Sequence, residues 1–182
     1  MDRIIAFVLI IIISPILLIL ICITLFDLKC NPIFIQKRTV SGQGDFNFYK
    51  IRSMYKTAPH VPTGEFSDVH KHTSRWGRFI RLYSLDELLN LVCIVFGYMK
   101  FIGPRPIMIC ETELVLLRLK NGINDKPGIT GLAQINGRDN IRIGRKVACE
   151  KYYNRRKASL KLRLFIIYKT VLIVIKKTGI TH

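Results

Sequence analysis

Residues Ile4–Phe26 read IIAFVLIIIISPILLILICITLF, 23 positions without a charge. Wound as one straight helix they would reach ~35 Å, enough to cross the hydrocarbon core of a bilayer. The run is too long for a signal-peptide core and no small-residue cleavage site follows it, so it reads as a retained anchor over residues 1–28. Ser14-Pro15 interrupts it. Proline lacks the backbone N–H and crowds the preceding turn, so a kink is expected there, and each half alone spans only ~17 Å. Two topologies remain: a single kinked transmembrane helix, or a re-entrant helix-break-helix that enters one leaflet and returns. Almost all Lys and Arg follow the segment, which places the body on the cytoplasmic side, and Arg3 suits the same side. The re-entrant form is the expectation, with Ser14 available to satisfy a backbone group that the kink releases.

Outward from the anchor, 182 residues allow one domain, residues 29–182, with a hydrophobic content of 49% that supplies a core. Formal net charge is +17, from 29 Lys+Arg against 12 Asp+Glu, so the partners are anionic: nucleic acid, phospholipid headgroups or phosphorylated small molecules. Nucleic acid is disfavoured by the apolar anchor and by the lack of aromatic residues interleaved along the basic stretches. Five cysteines carry no C-x-x-C pair and read as reduced thiols.

Ile33-Phe34-Ile35 and Phe46–Ile51 read as two strands of a hairpin around the glycines at 42 and 44. Residues 57–73 read as a loop. Apolar residues from Leu85 to Phe96 recur at helical spacing, Ile107–Lys120 reads as a further helix ended by Asn121-Gly122, and residues 126–138 are rich in turns. Leu164–Ile175 is too short to span a bilayer and reads as a buried helix or one lying in the membrane surface. The expected fold is α+β, mostly helical, with a small hairpin, a re-entrant anchor and interfacial amphipathic helices.

In so basic a chain the pair Asp86-Glu87, within Ser84-Leu85-Asp86-Glu87-Leu88, stands out. Ser84 as N-cap and Glu87 three residues later predict a capping box. First-turn N–H groups and the helix dipole would then keep Asp86 ionised, able to ligate Mg²⁺ or act as a nucleophile. Arg105 in Gly103-Pro104-Arg105-Pro106 and Arg138 at the end of the 126–138 segment are arginines on backbones stiffened by Gly and Pro, suited to phosphate oxygens. Lys50, Arg52 and Arg81 add positive charge.

Four ordered motifs resemble the bacterial sugar transferase family, the monotopic phosphoglycosyl transferases. They are Ser84–Leu88, Gly103–Pro106, Tyr49-Lys50-Ile51-Arg52-Ser53-Met54, and Lys126–Gln134 continuing through Gly137-Arg138. The resemblance implies an enzyme on the cytoplasmic face of the bacterial inner membrane. It would move a sugar-1-phosphate from a UDP-sugar to a polyprenol phosphate, usually undecaprenyl phosphate, as the first membrane step of a glycan or surface polysaccharide such as a capsule or lipopolysaccharide. It further implies Mg²⁺ at Asp86 and Glu87, attack on phosphorus by Asp86 with loss of UMP, help from Glu87 with metal or proton, and phosphate clamps at Arg105 and Arg138. Where the family often has Asp-Glu-Leu-Pro-Gln, this chain has Leu89-Asn90 in the last two places. Its Gly-Asp-Met-Ser is Gly97-Tyr98-Met99-Lys100, and a late aspartate is Arg163. The alternative is an inactive basic membrane scaffold that binds anionic lipid or a glycan-assembly partner.

Overall fold

The computed structural model describes residues 1–40, 44–59, 69–137 and 141–176. Helix α1 (Asp2–Leu28) continues through Pro15. The missing N–H of Pro15 would have bonded the carbonyl of Ile11, four residues back. Ser14 Oγ donates to that same oxygen at 2.8 Å, so the orphan acceptor is satisfied as expected and the helix runs on.

One face of α1 is buried along its length, through Ala6, Leu17, Leu20 and Thr24. Ala6 joins Phe48, Leu91, Cys93, Ile94 and Met99, while Leu17 and Leu20 join Ile51 and Ile80. Polar contacts fasten both ends. Near the start, Arg163 reaches Asp2 at 3.9 Å. Near the finish, Trp76 Nε1 donates to Thr24 Oγ1 at 2.8 Å and Ser74 Oγ to Asp27 at 2.5 Å. A 27-residue helix is ~40 Å long, so a span would carry one of its ends away from the body. Here both ends contact the same body, and the helix is continuous at Ser14-Pro15, where a break was expected. The opposite face exposes Ile4, Phe7, Val8, Ile11, Ile12, Leu18 and Ile19, too much apolar surface to leave in water.

Strands β1 (Ile33–Thr39) and β2 (Asp45–Ile51) form the expected antiparallel hairpin, with Phe34 opposite Lys50 and Gln36 opposite Phe48. Gly44 takes φ +71°, open to glycine at the mouth of the turn. Helix α2 (Arg75–Leu82) is capped by Ser74, whose Oγ accepts from the Gly77 N–H. The predicted helix from Leu85 to Phe96 is instead a 3-10 helix, Leu85–Asn90, followed by the short α3 (Leu91–Val95). Strand β3 (Lys100–Ile102) runs parallel to β5 (Gly128–Thr130), so part of the turn-rich segment is strand.

The predicted helix over Ile107–Lys120 starts late. Pro106 disfavours helical geometry before it, and Ile107–Met108 form β4, the third strand beside β1. Helix α4 occupies only Thr112–Lys120 and ends as predicted, with Gly122 at φ +67°. Helices α5 (Leu132–Ile135), α6 (Ile143–Arg156) and α7 (Leu160–Lys176) complete the chain. In α7 only Ile166 is buried, while Leu160, Leu164, Phe165, Ile167 and Val171 face outward. The alternative of a fully buried helix is thereby excluded. The fold class is α+β and mostly helical, as the sequence indicated.

Cysteines placed singly at Asp2 and Lys29 in a Cys-free background test the anchor. A membrane-impermeant thiol reagent is expected to reach both or neither from outside intact cells. Labelling of one alone means a crossing.

Candidate functional site

The site is assembled by three elements that meet at residue 50. Alternation along β2 turns Phe48 and Lys50 to one face, with Phe34, Gln36 and Arg38 of β1 on the same side. The 3-10 helix packs against this hairpin through Asn90, whose Oδ1 accepts the Tyr49 N–H at 3.0 Å and whose Nδ2 donates to the Glu87 carbonyl at 3.2 Å. The Asn90 amide therefore ties the acidic pair to β2. Lys50 Nζ then stands 2.8 Å from Glu87 Oε1 and 3.8 Å from Asp86 Oδ2. Arg105 Nη2 approaches Glu87 Oε1 at 3.9 Å from the other side.

The predicted capping box does not form. Ser84 sits in the left-handed region at φ 55° and makes no side-chain cap hydrogen bond, and the Glu87 carboxylate is turned to Lys50. The expected protonation behaviour is corrected with it. Burial is the largest influence on Asp86 and pushes its pKa up, Lys50 opposes this, and the Glu87 charge adds to the rise. Burial acts the same way on Glu87, but Lys50 and Arg105 outweigh it and hold the group down at about 2. The permanent charge therefore resides on Glu87, and Asp86 is the carboxyl that gains or loses a proton more easily. Arg38, lowered to about 10 by burial and by the nearby Arg105, extends the cationic wall.

The backbone around Arg105 is held from behind. Arg118 and Glu150 form a fully buried ion pair with Nε–Oε2 at 2.8 Å and Nη2–Oε1 at 2.5 Å, and Arg118 Nη2 also donates to the Arg105 carbonyl at 2.9 Å. Glycines close the other side. A Cβ on Gly103 would lie 2.5 Å from the Lys126 carbonyl and one on Gly128 would lie 2.1 Å from Gly103 N. The Gly-Pro-Arg-Pro motif and the Lys-Pro-Gly-Ile-Thr-Gly motif are thus two halves of one backbone-to-backbone contact.

Asp86, Glu87, Lys50, Arg81 and Arg105 line a single cleft of about 560 Å³. Much of its remaining wall is apolar, with Leu9 and Ile13 of α1, Phe101 and Ile129 of the parallel strands, and Ile173 and Val174 of α7, beside the polar Ser84, Thr130 and Thr170. Gln134 lies in it as well, with a buried Oε1 that has no hydrogen-bond partner among the described residues. Arg52 stands apart, its Nε donating to the Asn31 carbonyl at 2.7 Å and its guanidinium 5.4 Å from the Phe34 ring centroid. It borders a second groove of about 130 Å³ with Gln36, Tyr55, Lys50 and Arg81. Arg138 lies outside the described residues. Ser14 and Pro15 belong to α1 and do not line the cleft.

Arg38, Gln134, Arg118 and its partner Glu150 were not among the site residues read from sequence. Period-two alternation would have placed Arg38 on the Lys50 face. Nothing local marks Arg118, whose partner is 32 residues away.

Two adjacent acids ringed by cations, at the head of an apolar cleft opening between two lipophilic helices, suit an anionic group carried on an apolar tail. Residues 1–177 match the family described as bacterial sugar transferase, and the chain belongs to that family. It is 31% identical to an uncharacterized sugar transferase of Haemophilus influenzae, over 98% of this chain and 41% of that protein. It is 30% identical to the exopolysaccharide production protein ExoY of Sinorhizobium fredii, over 93% of this chain and 81% of that protein. Against the undecaprenyl-phosphate galactose phosphotransferase of Salmonella typhimurium identity is 36%, over 57% of this chain and 21% of that protein. The chain thus spans about two-fifths of the Haemophilus relative, four-fifths of the Sinorhizobium one and one-fifth of the Salmonella one.

Arg118→Met should cost about 3–5 kcal/mol by stranding the buried Glu150 carboxylate. Thermal unfolding would report a large loss, and the double variant Arg118→Met/Glu150→Met should recover much of it.

Proposed function

We propose that the protein transfers a sugar-1-phosphate from a UDP-sugar to a polyprenol phosphate at the cytoplasmic face of the membrane, as the opening step of a surface glycan. The single observation that carries this reading is the cleft that joins the acidic pair to an apolar wall built by α1 and α7. An isoprenoid tail can lie against that wall while its phosphate reaches Lys50, Arg81 and Arg105. The undecaprenyl phosphate named for the Salmonella relative is a ligand of this kind. The polar groove beyond Lys50 and Arg81, with Phe34, Tyr55 and Arg52, suits the nucleotide half of the donor. Both substrates would then meet at the same two cations from opposite sides.

In the chemistry we assign, an ionised Asp86 Oδ attacks the phosphorus bonded to the sugar oxygen. An O–P bond forms as the diphosphate bridge breaks, and UMP leaves with the electron pair. The acceptor's phosphate oxygen then attacks that phosphorus and the Asp86 carboxylate departs, restoring the enzyme. Lys50 and Arg81 offset the repulsion between an anionic nucleophile and an anionic diphosphate, and Arg105 with Glu87 fixes the geometry. Glu87 remains anionic throughout, so it positions cations instead of moving protons.

Asp86 and Glu87 are adjacent hard oxygen donors, and among the described residues no group of three or more His, Cys, Asp or Glu side chains could hold a metal. That donor set fits Mg²⁺, which accepts one or two carboxylates and completes its shell with phosphate oxygens and water. When bound there it would supply charge neutralisation for the diphosphate. The inactive-scaffold alternative keeps the same cleft without turnover.

Asp86→Asn is expected to cut UMP release by about ten-thousandfold or more. Wild-type protein quenched with donor alone should carry one sugar-phosphate adduct at Asp86, seen by peptide mass spectrometry. Turnover without that adduct overturns the nucleophile. Scaffold function predicts no UMP from any member of a UDP-sugar panel.

The pH dependence has a definite sign. Asp86 must lose its proton to attack and its pKa is raised by burial. The acid limb of the rate should therefore lie above the ordinary aspartate value of about 3.9. Lys50 lowers that pKa and Glu87 raises it. Lys50→Met should thus move the limb to higher pH and Glu87→Gln to lower pH. Shifts in the same direction would contradict the assignment.

A further inference from the structure

A second cavity, of about 400 Å³, shares no residue with the catalytic cleft. It lies where the end of α1 carrying Asp2 and Arg3 meets the first turn of α7. Five cations line it (Arg3, Lys100, Lys126, Lys157 and Arg163) against two carboxylates, Asp2 and Asp125. Asp125 serves two of them, Lys100 at 2.7 Å and Lys157 at 3.4 Å, and Asp2 serves Arg163 at 3.9 Å. Among the described residues, Lys126 Nζ donates to a neutral oxygen, the Gly97 carbonyl, at 2.6 Å. Arg3 is exposed and its guanidinium fills the space that a side chain at Gly97 would need, with Gly97 itself at φ +81°. A pocket that concentrates net positive charge of this kind attracts an anion.

Its surroundings decide which anion. One turn beyond Arg3, α1 exposes Ile4, Ile5 and Phe7, and beside Arg163, α7 exposes Leu160 and Leu164. A headgroup seated among the five cations therefore has apolar surface next to it on two helices. We propose that this cavity binds the phosphodiester headgroup of an anionic membrane phospholipid, with its acyl chains against the outward faces of α1 and α7. A choline or ethanolamine headgroup would bring a cation among cations and is selected against. Bound there, the lipid fixes the start of α1 to α7 at the membrane surface. The site rests on α1 lying against a membrane, not on the catalytic reading.

Native mass spectrometry in a non-ionic detergent tests it, on the full chain extracted from bilayers of equal phosphatidylglycerol and phosphatidylcholine. The wild type is expected to retain phosphatidylglycerol and not phosphatidylcholine. Arg3→Gln/Lys157→Gln removes two exposed cations, and Asp125, which Lys157 contacts at 3.4 Å, keeps Lys100 at 2.7 Å. At about fivefold per cation, retention should weaken by about twenty-five-fold, with the thermal midpoint unchanged. Equal retention by wild type and variant, or equal retention of the two lipids, overturns the proposal. So does millimolar inorganic phosphate that displaces phosphatidylglycerol at matching affinity, since that would make the site one for a soluble anion. UMP release measured in parallel separates the two readings. Lipid selectivity without turnover sinks the transferase, and turnover without selectivity sinks this site.

Discussion

The ammonium of Lys50, placed between two neighbouring carboxylates, is the contact on which the site depends. Without it two buried acids would sit side by side with repulsion and desolvation both acting against them. With it, Glu87 is held ionised while Asp86 keeps a raised affinity for its proton. Lys50 can do this because the hairpin, not the helix, presents it. Its register opposite Phe34 and the Asn90 bridge to Tyr49 fix the distance between strand and 3-10 helix. The asymmetry between chemically similar neighbours follows from the direction in which one cation approaches.

That cluster is supported by features with no chemistry of their own. The buried Arg118–Glu150 pair holds the Arg105 carbonyl, and the glycine contacts at 103 and 128 bring two distant motifs within backbone reach. Such a pair is costly to desolvate and gains little over apolar packing, so its value lies in fixing where Arg105 stands. The apolar helices contribute differently. By lying along the body, α1 supplies both an exposed apolar face and, through Leu9 and Ile13, a wall of the cleft.

Much of this was legible along the chain. The apolar run, the hairpin, the Asn121-Gly122 stop and the satisfaction of the Pro15 defect by Ser14 all follow from local rules, since each depends on residues a few positions apart. The readings that failed were also local. A capping box at Ser84 and a helix from Ile107 are sound inferences from neighbours, and each lost to a distant partner: Lys50 drew away the Glu87 carboxylate, and β1 drew Ile107 and Met108 into a strand.

Charge, hydropathy and motif order were therefore sufficient to say that this chain joins a long apolar helix to an α+β body carrying an adjacent acid pair among cations. Tertiary structure alone decided which acid holds its proton more tightly, that Arg38, Gln134 and Arg118 belong to the arrangement, and that both ends of α1 contact the same body. The reason is physical. Periodicity and capping act over one or two helical turns, whereas desolvation and Coulomb interaction depend on which atoms folding brings within a few ångströms, whatever their separation in sequence.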